Sequence, residues 1–353
     1  MLTVDALACH LGGFELHDAT FRVDAGDYFV LLGASGAGKT VLLELLAGLL
    51  VPDRGQLTFD GRDITRCPIQ KRPFGLVYQD HVLFPHLTVR RNIAYALPRS
   101  SHSEVERLAD QVGAGALLDR APGTLSLGEA QRVAIARTLA HRPRVLMLDE
   151  PLASLDVQAR TGIRALLRRL HAAGQTIIHV THDYEEALAL ASRVAVLEAG
   201  RIVQVGTPEE VFHHPRSQFI ARFVGIKNFF RGRLVTTGGR AQFETAGVRF
   251  AVAAEASDGS GCAVFESNAV TVSLAEPCGS ARNVFFGTVT DLEPAPLGIE
   301  LTLACGVTLQ ALITRQSRDE MGLAIGTPVW ASFKSTNVRF IPDECREHTG
   351  VAP

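Results

Sequence analysis

The feature that most constrains this chain is the glycine-rich segment Gly33-Ala-Ser-Gly-Ala-Gly-Lys-Thr40. It follows a short apolar run, Tyr28-Phe-Val-Leu-Leu32, and it precedes a leucine-rich stretch with helical spacing. The apolar run is typical of a buried strand, so the segment is predicted to turn the chain from a strand into a helix. This is the context that a phosphate-binding G-x-x-x-x-G-K-[ST] loop requires, and it disfavours a chance glycine-rich turn.

The residue types in this loop suit a phosphate chain. Glycines allow successive backbone N–H groups to surround a phosphate, and the N-terminus of the following helix adds positive potential. We expect the Lys39 ammonium to reach the β- and γ-phosphates and the Thr40 hydroxyl to ligate Mg²⁺. The candidate phosphate-binding residues are Gly33, Ala34, Ser35, Gly36, Ala37, Gly38, Lys39 and Thr40.

Two further predicted strands end in side chains that suit phosphate chemistry. The run Arg144-Val-Leu-Met-Leu-Asp149 ends in an aspartate and is followed by Glu150. One carboxylate there can hold Mg²⁺, and its neighbour can orient or deprotonate an attacking water. His182 follows the predicted strand 176–180. An acid after a strand also suits a helix N-cap and a lone histidine is commonly structural, so these assignments depend on the nearby phosphate loop.

Strands and helices alternate up to about residue 226, a pattern that predicts a largely parallel α/β sheet. Beyond that point the chain is rich in Gly, Val, Thr and Phe, with short runs such as Thr308-Leu-Gln-Ala-Leu-Ile-Thr314. Many short strands predict a small β-barrel or sandwich. We therefore place two domains at 1–226 and 227–353, within the range that 353 residues allow.

Composition narrows the classes of partner and compartment. Lys and Arg number 35 against 37 Asp and Glu, a net charge of −2, and this balance argues against a nucleic-acid partner. The six cysteines are scattered without C-x-x-C spacing, which favours a reducing compartment. We expect no signal peptide and no membrane span, because no basic segment leads into a long apolar run.

Four more motifs resemble those of ATP-binding cassette (ABC) transporter ATPases, and they occur in the order of that family. The resemblance covers about residues 1–225 and implies an α/β P-loop NTPase fold, with a RecA-like core and a helical subdomain over about 88–141. The segments that carry it are Leu76-Val-Tyr-Gln79 for the Q-loop, Leu125-Ser-Leu-Gly-Glu129 with Gln131-Arg132 for the signature, Ser154-Leu-Asp156 for the D-loop and Thr181-His182-Asp183 for the switch histidine.

The resemblance implies ATP and Mg²⁺ as ligands and an enzyme that hydrolyses ATP. Two copies would dimerise head to tail, so that the signature of one chain meets the γ-phosphate held by the other. The implied roles are general base for Glu150, Mg²⁺ ligand for Asp149, Mg²⁺ and water sensor for Gln79, γ-phosphate contact for His182, and contact with the partner's nucleotide for Ser126 and Gly128.

Three positions depart from the family pattern. The middle glycine of the signature is replaced by Leu127, and its closing glutamine by Glu129, which puts a negative charge near a phosphate site. The aromatic residue that stacks on adenine in the family is not evident, because His10 and Phe14 both suit the position.

The resemblance also implies partners. Residues 80–95, which contain Phe84-Pro85, would contact membrane permease subunits, since this segment receives them in the family and an apolar surface patch marks a partner site. A periplasmic or extracellular substrate-binding protein would act through that permease. The chain is then expected as a peripheral subunit on the cytoplasmic face of the plasma (inner) membrane.

The C-terminal region carries hydroxyl and cationic side chains that suit a tetrahedral oxyanion. Any such site depends on local geometry, because residues 280–353 hold 6 Lys and Arg against 8 Asp and Glu. Scattered surface polarity is the alternative on composition alone. The region resembles the molybdate-binding (MOP/TOBE-type) OB-like barrel, in some relatives with sites shared between two barrels. The matching oxyanion candidates are Ser280, Arg282, Thr314, Ser317, Lys334 and Ser335.

The leading interpretation is the ATPase subunit of a molybdate or tungstate importer, with feedback inhibition by the oxyanion. A second hypothesis is another TOBE-type importer, for sulfate, ferric iron or polyamine. A third is a soluble ABC ATPase acting on DNA or ribosomes, which predicts a basic face and commonly two cassettes. A non-catalytic oxyanion sensor is disfavoured, because Lys39, Asp149, Glu150 and His182 are all present.

Overall fold

The computed structural model describes residues 1–97, 102–253 and 257–343. The chain divides between Val211 and Phe212 into two compact units. Within the described ranges, no helix combines the length and the apolar character that a membrane span requires.

The first unit is built on one ten-stranded sheet. Its strands are β1 (Leu2–Leu11), β2 (Phe14–Val23), β3 (Tyr28–Leu32), β4 (Arg54–Phe59), β5 (Arg62–Asp63), β6 (Phe74–Val77), β7 (Val145–Asp149), β8 (Thr176–Thr181), β9 (Arg193–Glu198) and β10 (Arg201–Gly206). The order across the sheet is β5-β4-β1-β2-β10-β9-β3-β8-β7-β6.

The predicted parallel sheet forms one part of this larger mixed sheet. Strands β9, β3, β8, β7 and β6 pair in parallel, and β3, β7 and β8 are fully buried, as their apolar runs predict. Strands β5, β4, β1 and β2 add an antiparallel part, because β1 pairs with both β2 and β4. The alternation of strands and helices therefore identified the parallel centre but not the antiparallel extension.

The helices follow the sequence patterns closely where an apolar face is marked. They are α1 (Lys39–Ala47), α2 (Val89–Ala94), α3 (His102–Val112), α4 (Leu127–Leu139), α5 (Val157–Ala172), α6 (Tyr184–Leu190), α7 (Pro208–His213), α8 (Gln218–Phe223) and α9 (Arg315–Met321). Helices α2, α3 and α4 fill the predicted helical region 88–141. Asp156 caps α5, since its side chain accepts a hydrogen bond from the Ala159 amide.

The second unit contains two five-stranded antiparallel sheets. Its strands are β11 (Asn228–Thr237), β12 (Arg240–Thr245), β13 (Val248–Val252), β14 (Gly259–Phe265), β15 (Thr271–Ser273), β16 (Asn283–Ala295), β17 (Gly298–Ala304), β18 (Thr308–Ile313), β19 (Pro328–Phe333) and β20 (Arg339–Pro342). The sheet orders are β13-β12-β11-β14-β20 and β15-β19-β16-β17-β18. Both sheets contribute to one core, in which Phe250 contacts Phe265 and Phe333.

The boundary between the units lies about fifteen residues before the predicted one at 226/227. Ala221 and Ile226 are buried against Cys262, Val264 and Ile341 of the second unit. Their apolar side chains therefore assign residues 212–226 to the β-rich unit. The sequence-based boundary followed the change in composition, which begins only where the first strand of that unit starts.

A buried arginine holds the C-terminal end of the phosphate-loop helix. Arg72 donates hydrogen bonds to the carbonyls of Leu45 and Leu46 at the end of α1, at 2.8 and 2.6 Å. It also donates to the carbonyls of Cys67 and Thr65, at 2.7 and 3.1 Å. Carbonyls at the end of a helix lack the usual intrahelical partner, so the guanidinium supplies a donor to Leu46 and a second donor to Leu45, whose carbonyl also accepts from the Gly48 amide.

Replacing Arg72 with Met should lower the free energy of unfolding of the first unit by about 3 kcal/mol, because buried carbonyls would lose a charged donor. The measurement is urea unfolding followed by circular dichroism. The exposed Arg62 of β5 provides the matched control, and Arg62→Met should change stability by less than about 0.5 kcal/mol. Equal stabilities for the Arg72→Met and Arg62→Met proteins would contradict the capping role.

Candidate nucleotide site

The phosphate loop, residues 33–40, has the backbone that its glycines allow. Gly36 and Gly38 adopt φ values of +80° and +99°, in the region that side chains with a Cβ atom disfavour. Gly33 lies so close to β9, the strand beside β3 in the sheet, that a Cβ atom on it would stand 2.5 Å from the Leu197 carbonyl oxygen. Helix α1 begins after Gly38 without a side-chain cap and without an acidic residue in its first turn. Its first amides therefore remain available to an anion.

Lys39 lies folded into this loop. Its ammonium donates hydrogen bonds to the carbonyls of Gly33 and Ala34, at 2.9 and 3.0 Å, and lies 3.7 Å from Glu150 Oε1. Burial lowers the pKa of Lys39, and the neighbouring carboxylates of Glu150 and Asp149 oppose that shift. The loop thus places a buried cation where a phosphate chain would sit.

Thr40 and Asp149 meet because their strands share one sheet. Strands β3 and β7 both pair in parallel with β8, so their carboxyl ends lie at the same edge. The Thr40 hydroxyl lies 3.2 Å from Asp149 Oδ2. Burial raises the pKa of Asp149, as do the nearby carboxylates of Glu150 and Glu44, while Thr40 and Lys39 oppose the shift.

This pair fits Mg²⁺ by the chemistry of its donors. Hydroxyl and carboxylate oxygens are the hard ligands that the ion prefers, and a cation would relieve the crowding of carboxylates around Asp149. Among the described residues, no group of three or more His, Cys, Asp and Glu is arranged to hold a metal by itself. A Mg²⁺ ion at a nucleotide site needs only one or two carboxylates, because substrate phosphates and waters supply its other ligands.

Glu150 is held in an unusual backbone conformation next to this pair. Its φ is +45°, and its amide donates to the Val180 carbonyl at 2.9 Å. Its Oε2 lies 3.0 Å from His182 Nδ1, while Oε1 faces Lys39. Non-glycine residues with positive φ are uncommon and concentrate at functional sites, where surrounding contacts hold them. The carboxylate is thereby oriented between a histidine and a lysine.

A buried polar network lies beneath His182, and sequence reasoning missed it. The Thr181 hydroxyl donates to Glu186 Oε2 at 2.8 Å, and His179 Nε2 lies 3.4 Å from the same oxygen. His179 Nδ1 is 3.0 Å from the Tyr28 hydroxyl. All four side chains are buried, and Glu186 also begins the first turn of α6 after the N-cap Asp183. A polar residue inside an apolar strand, as in Thr176-Ile-Ile-His179, was the available signal.

Gln79 lies at the same edge of the sheet. Strand β6 pairs in parallel with β7, with Val77 opposite Leu148, so Gln79 and Glu150 each stand two residues past a paired position. The side chain of Gln79 is exposed. The topology therefore places the glutamine at the carboxyl ends of the strands, on the strand next to the one that ends in the carboxylates.

The predicted signature residues lie at the start of α4. Ser126 caps this helix, since its hydroxyl accepts from the Glu129 amide and Glu129 Oε2 accepts from the Ser126 amide at 2.7 Å. Glu129 also lies 3.2 Å from Arg120, and hydrogen bonds from the Ser126 amide hold its pKa low. The charge that replaces the family glutamine is thus used in a capping box and paired with an arginine.

The other two departures from the family pattern are Leu127 and the missing adenine-stacking aromatic residue. Leu127 is 54% exposed at the first position of α4. The Phe14 ring lies against the phosphate loop, because a Cβ atom on Gly38 would stand 2.0 Å from it. His10 is exposed, and its amide donates to Asp53. Neither aromatic candidate for adenine is selected by these contacts.

The six oxyanion candidates form two sets within the second unit. The first set comprises Ser280, Arg282, Lys334 and Ser335 and contains both cations. Its Arg282 and Lys334 flank Asn283 of β16 and Phe333 of β19, which pair with each other. Thr314 and Ser317 form the other set at the start of α9, where their hydroxyl oxygens are 2.8 Å apart.

The register of the second unit separates these sets along β16. Ile313 at the end of β18 pairs with Ile299, and β17 begins opposite Ala295 at the far end of β16. The first set, which comprises Ser280, Arg282, Lys334 and Ser335, lies at the Asn283 end. One chain therefore does not bring all six side chains to one point.

The fold and this site define a P-loop nucleoside triphosphatase with an added β-rich unit. Residues 16–153 match the family model described as ABC transporter, and residues 279–340 match the TOBE domain. The molybdate/tungstate import ATP-binding protein of Pyrococcus horikoshii is 41% identical over 350 residues, which cover 97% of this chain and 100% of that protein. The chain belongs to the ABC transporter ATP-binding proteins, and it is an ATPase.

Two other similar proteins match a smaller part of the chain. A sulfate/thiosulfate import ATP-binding protein of Chromobacterium violaceum is 46% identical over 250 residues, 67% of this chain and 68% of that protein. The ATP-binding cassette MJ0796, solved as a dimer in a post-hydrolysis state bound to ADP and Pi, has a TM-score of 0.53 and 25% identity. It covers 59% of this chain and 99% of that chain. The predicted family and fold are confirmed.

Replacing Asp149 with Asn should stabilise the nucleotide-free protein at neutral pH. Because the folded-state pKa of Asp149 is raised, stability falls as the pH rises from the unfolded-state pKa to the folded-state pKa and stays lower above it, and the neutral amide removes this effect. We expect a Tm increase of about 2 °C or more at pH 7, shrinking as the pH falls towards 4 and the aspartate becomes protonated. Differential scanning calorimetry measures it.

The same substitution should abolish the additional thermal stabilisation by Mg²⁺ with ATP. The exposed Asp5 of β1 supplies the control, since Asp5→Asn should leave both the Tm and its response to Mg²⁺ and ATP unchanged. A lower Tm for nucleotide-free Asp149→Asn would show that the carboxylate stabilises the fold and would contradict the electrostatic account.

Proposed function

We propose that this chain is the ATP-hydrolysing subunit of an ABC importer for molybdate or tungstate. One observation carries the choice of cargo: the likeness to the Pyrococcus horikoshii protein runs over 97% of the chain and so includes the second unit. The likeness to the sulfate/thiosulfate protein covers 67% of the chain. Sulfate import is the alternative that a binding measurement has to test.

In this proposal the residues at the sheet edge position a water for in-line attack on the γ-phosphate. Lys39 would exchange its loop carbonyls for the β- and γ-phosphate oxygens, and Thr40 and Asp149 would hold Mg²⁺. The ion would neutralise charge on the phosphates. Glu150 accepts the proton of the attacking water, and its hydrogen bond to His182 keeps the carboxylate oriented. His182, 54% exposed at its side chain, would contact the γ-phosphate, and Gln79 would sense Mg²⁺ and the attacking water.

The active form is proposed to be a head-to-tail dimer. Ser126 and Gly128 begin a helix that packs on α2, α3, α5 and β6, and the hydrogen bonds of Ser126 go to Glu129. A second copy would bring these two residues to the nucleotide of the first. The MJ0796 cassette is itself described as dimeric. A monomer should consequently hydrolyse ATP poorly.

The permease is proposed to dock on the surface around residues 80–95. Val82 and Tyr95 are 57% and 66% exposed, and Phe84 contacts the Tyr95 ring at 4.5 Å between centroids. Exposed apolar side chains grouped in this way mark a partner site. Docking there would hold the subunit peripherally at the cytoplasmic face of the plasma (inner) membrane, with the external substrate-binding protein acting through the permease.

The second unit is proposed to bind the oxyanion between two copies. One copy would supply Ser280, Arg282, Lys334 and Ser335, and the other would supply Thr314 and Ser317, because the two sets lie at opposite ends of β16. Six donors, two of them cationic, would satisfy a dianion better than either set alone. Occupancy that favours a state with separated ATPase units would inhibit hydrolysis, provided the anion binds that state more tightly.

Replacing Glu150 with Gln should lower kcat for ATP hydrolysis by about 10²-fold or more, since loss of a general base costs this much. ATP binding should persist, so the variant should accumulate as an ATP-bound dimer in size-exclusion chromatography. The exposed Glu185 of α6 gives a matched control, and Glu185→Gln should hydrolyse ATP within about twofold of the parent protein. Unchanged turnover in Glu150→Gln would remove Glu150 as the base.

Calorimetric titration of the full chain should show binding of molybdate and tungstate, with sulfate and phosphate at least about tenfold weaker. Arg282→Gln should weaken molybdate binding by about tenfold or more, because a charged hydrogen bond contributes roughly 1.5–3 kcal/mol. Arg240→Gln, at an exposed arginine of β12, is the control.

The outcomes of this titration separate the hypotheses. Equal or tighter binding of sulfate would favour a sulfate importer, and no binding of any anion would contradict the oxyanion site while leaving the ATPase intact. A molybdate concentration that saturates the site should also lower the ATPase rate of the assembled transporter. A constant rate would overturn the inhibitory role alone.

A further inference from the structure

The backbone immediately after Gln79 is strained. His81 and Val82 have φ values of +60° and +42°, and we call these two residues the strained turn. Histidine is among the residues that tolerate this region, but a β-branched valine there is an outlier. The Val82 side chain is 57% exposed, so its own packing does not hold the conformation. Strain of this kind persists only where neighbouring groups hold it in place.

The group that holds the strained turn is the guanidinium of Arg137. Its Nη1 donates to the Val82 carbonyl at 2.8 Å, and its Nη2 donates to the His81 carbonyl at 3.3 Å. The same guanidinium lies over the Phe84 ring, 5.2 Å from its centroid. Among the described ion pairs, none joins Arg137 to a carboxylate. The described contacts of its guanidinium are with these two carbonyls and the Phe84 ring.

The other end of the segment is held independently. Asn92 of α2 is fully buried, and its Oδ1 accepts from the Phe84 amide at 2.9 Å. Its Nδ2 donates to the carbonyls of Phe84 and Leu87, at 3.2 and 3.1 Å. The chain from Gln79 to Phe84 is thus fixed at Phe84 by Asn92. Next to Gln79, Arg137 is the side chain that holds the strained turn, together with backbone hydrogen bonds from the His81 amide to the Tyr78 carbonyl at 3.1 Å and from the Val82 amide to the Asp80 carbonyl at 2.6 Å.

We propose that Arg137 is a positioning residue for ATP hydrolysis, because its guanidinium holds the strained turn and so sets the place of Gln79 at the nucleotide site. Arg137 belongs to the last turn of α4, the helix that begins at Ser126 and Gly128. One rigid helix therefore links the residues offered to the partner's nucleotide to the backbone beside this chain's own Gln79. The inference rests on the proposed role of Gln79.

Holding the strained turn requires the planar, forked guanidinium of an arginine. Two adjacent carbonyls accept from two different nitrogens of one side chain, and the ring of Phe84 receives its flat face. A lysine ammonium keeps the charge but cannot reproduce that geometry. Arg137→Lys is therefore expected to be impaired as well, less than Arg137→Met, and it remains informative if the methionine variant fails to fold.

The first test compares steady-state hydrolysis by the full-length dimer. Arg137→Met should lower kcat about tenfold, since small misplacements of catalytic groups have effects of this size, while KM for ATP stays within about twofold. Arg169→Met, at an exposed arginine of α5, should leave both constants unchanged. Amide hydrogen exchange should accelerate in residues 80–84 of Arg137→Met and remain unchanged in β3 and β7.

The second test removes the strain instead of the arginine. Glycine adopts positive φ without cost, so the Val82→Gly protein supplies a background in which the turn needs no arginine to hold it. Arg137→Met should lower kcat about tenfold in the parent protein but by less than about threefold in the Val82→Gly protein. A purely structural arginine would not be rescued by a change in the exposed turn.

Each contrary result points to a different failure. Unchanged kcat in Arg137→Met, exchange that accelerates throughout the sheet, or an equal loss of kcat on Arg137→Met with and without Val82→Gly would overturn this inference. The variant Gln79→Ala tests the proposed role of Gln79 in hydrolysis separately. Normal hydrolysis by Gln79→Ala would refute the role of the glutamine and the route from Arg137 to catalysis together, whereas a slow Gln79→Ala with a normal Arg137→Met would refute only the latter.

Discussion

The parallel pairing of β3, β8, β7 and β6 is the constraint on which the nucleotide site depends. Parallel strands place their carboxyl ends at one edge of a sheet, so residues far apart in the chain emerge side by side. By this geometry the same edge receives the lysine and threonine of the phosphate loop, the two carboxylates at the end of β7 and the histidine after β8. Fully buried apolar strands hold the edge rigid, which fixes the distances between these side chains.

Electrostatics at this edge oppose the stability of the nucleotide-free protein. Burial raises the pKa of Asp149 and lowers that of Lys39, so the nucleotide-free site holds charges that the surrounding protein does not fully satisfy. Bound phosphates and Mg²⁺ would supply the missing partners. Glu150 is likewise held at positive φ by its strand neighbour and by His182. Sites arranged for transition-state charge commonly sacrifice stability in this way.

The rest of the first unit supports this edge from outside. Arg72 fastens the far end of the phosphate-loop helix, and Arg137 fastens the backbone that follows Gln79. Both arginines use backbone carbonyls as acceptors and not carboxylates. Such contacts form only when the backbone presents its carbonyls in a particular arrangement, so each arginine stabilises that one backbone conformation.

The sequence by itself determined the phosphate loop, the three buried strands of the parallel centre, the residues at their ends and the change to a β-rich unit, because each is written in a local pattern of a few residues. Only the tertiary structure decided that Thr40 meets Asp149, that Glu129 serves as a cap paired with Arg120, and that the oxyanion candidates fall into two sets. It also decided that Arg137 holds the strained turn. These outcomes depend on strand register and on contacts between residues distant in the chain, which no local pattern encodes.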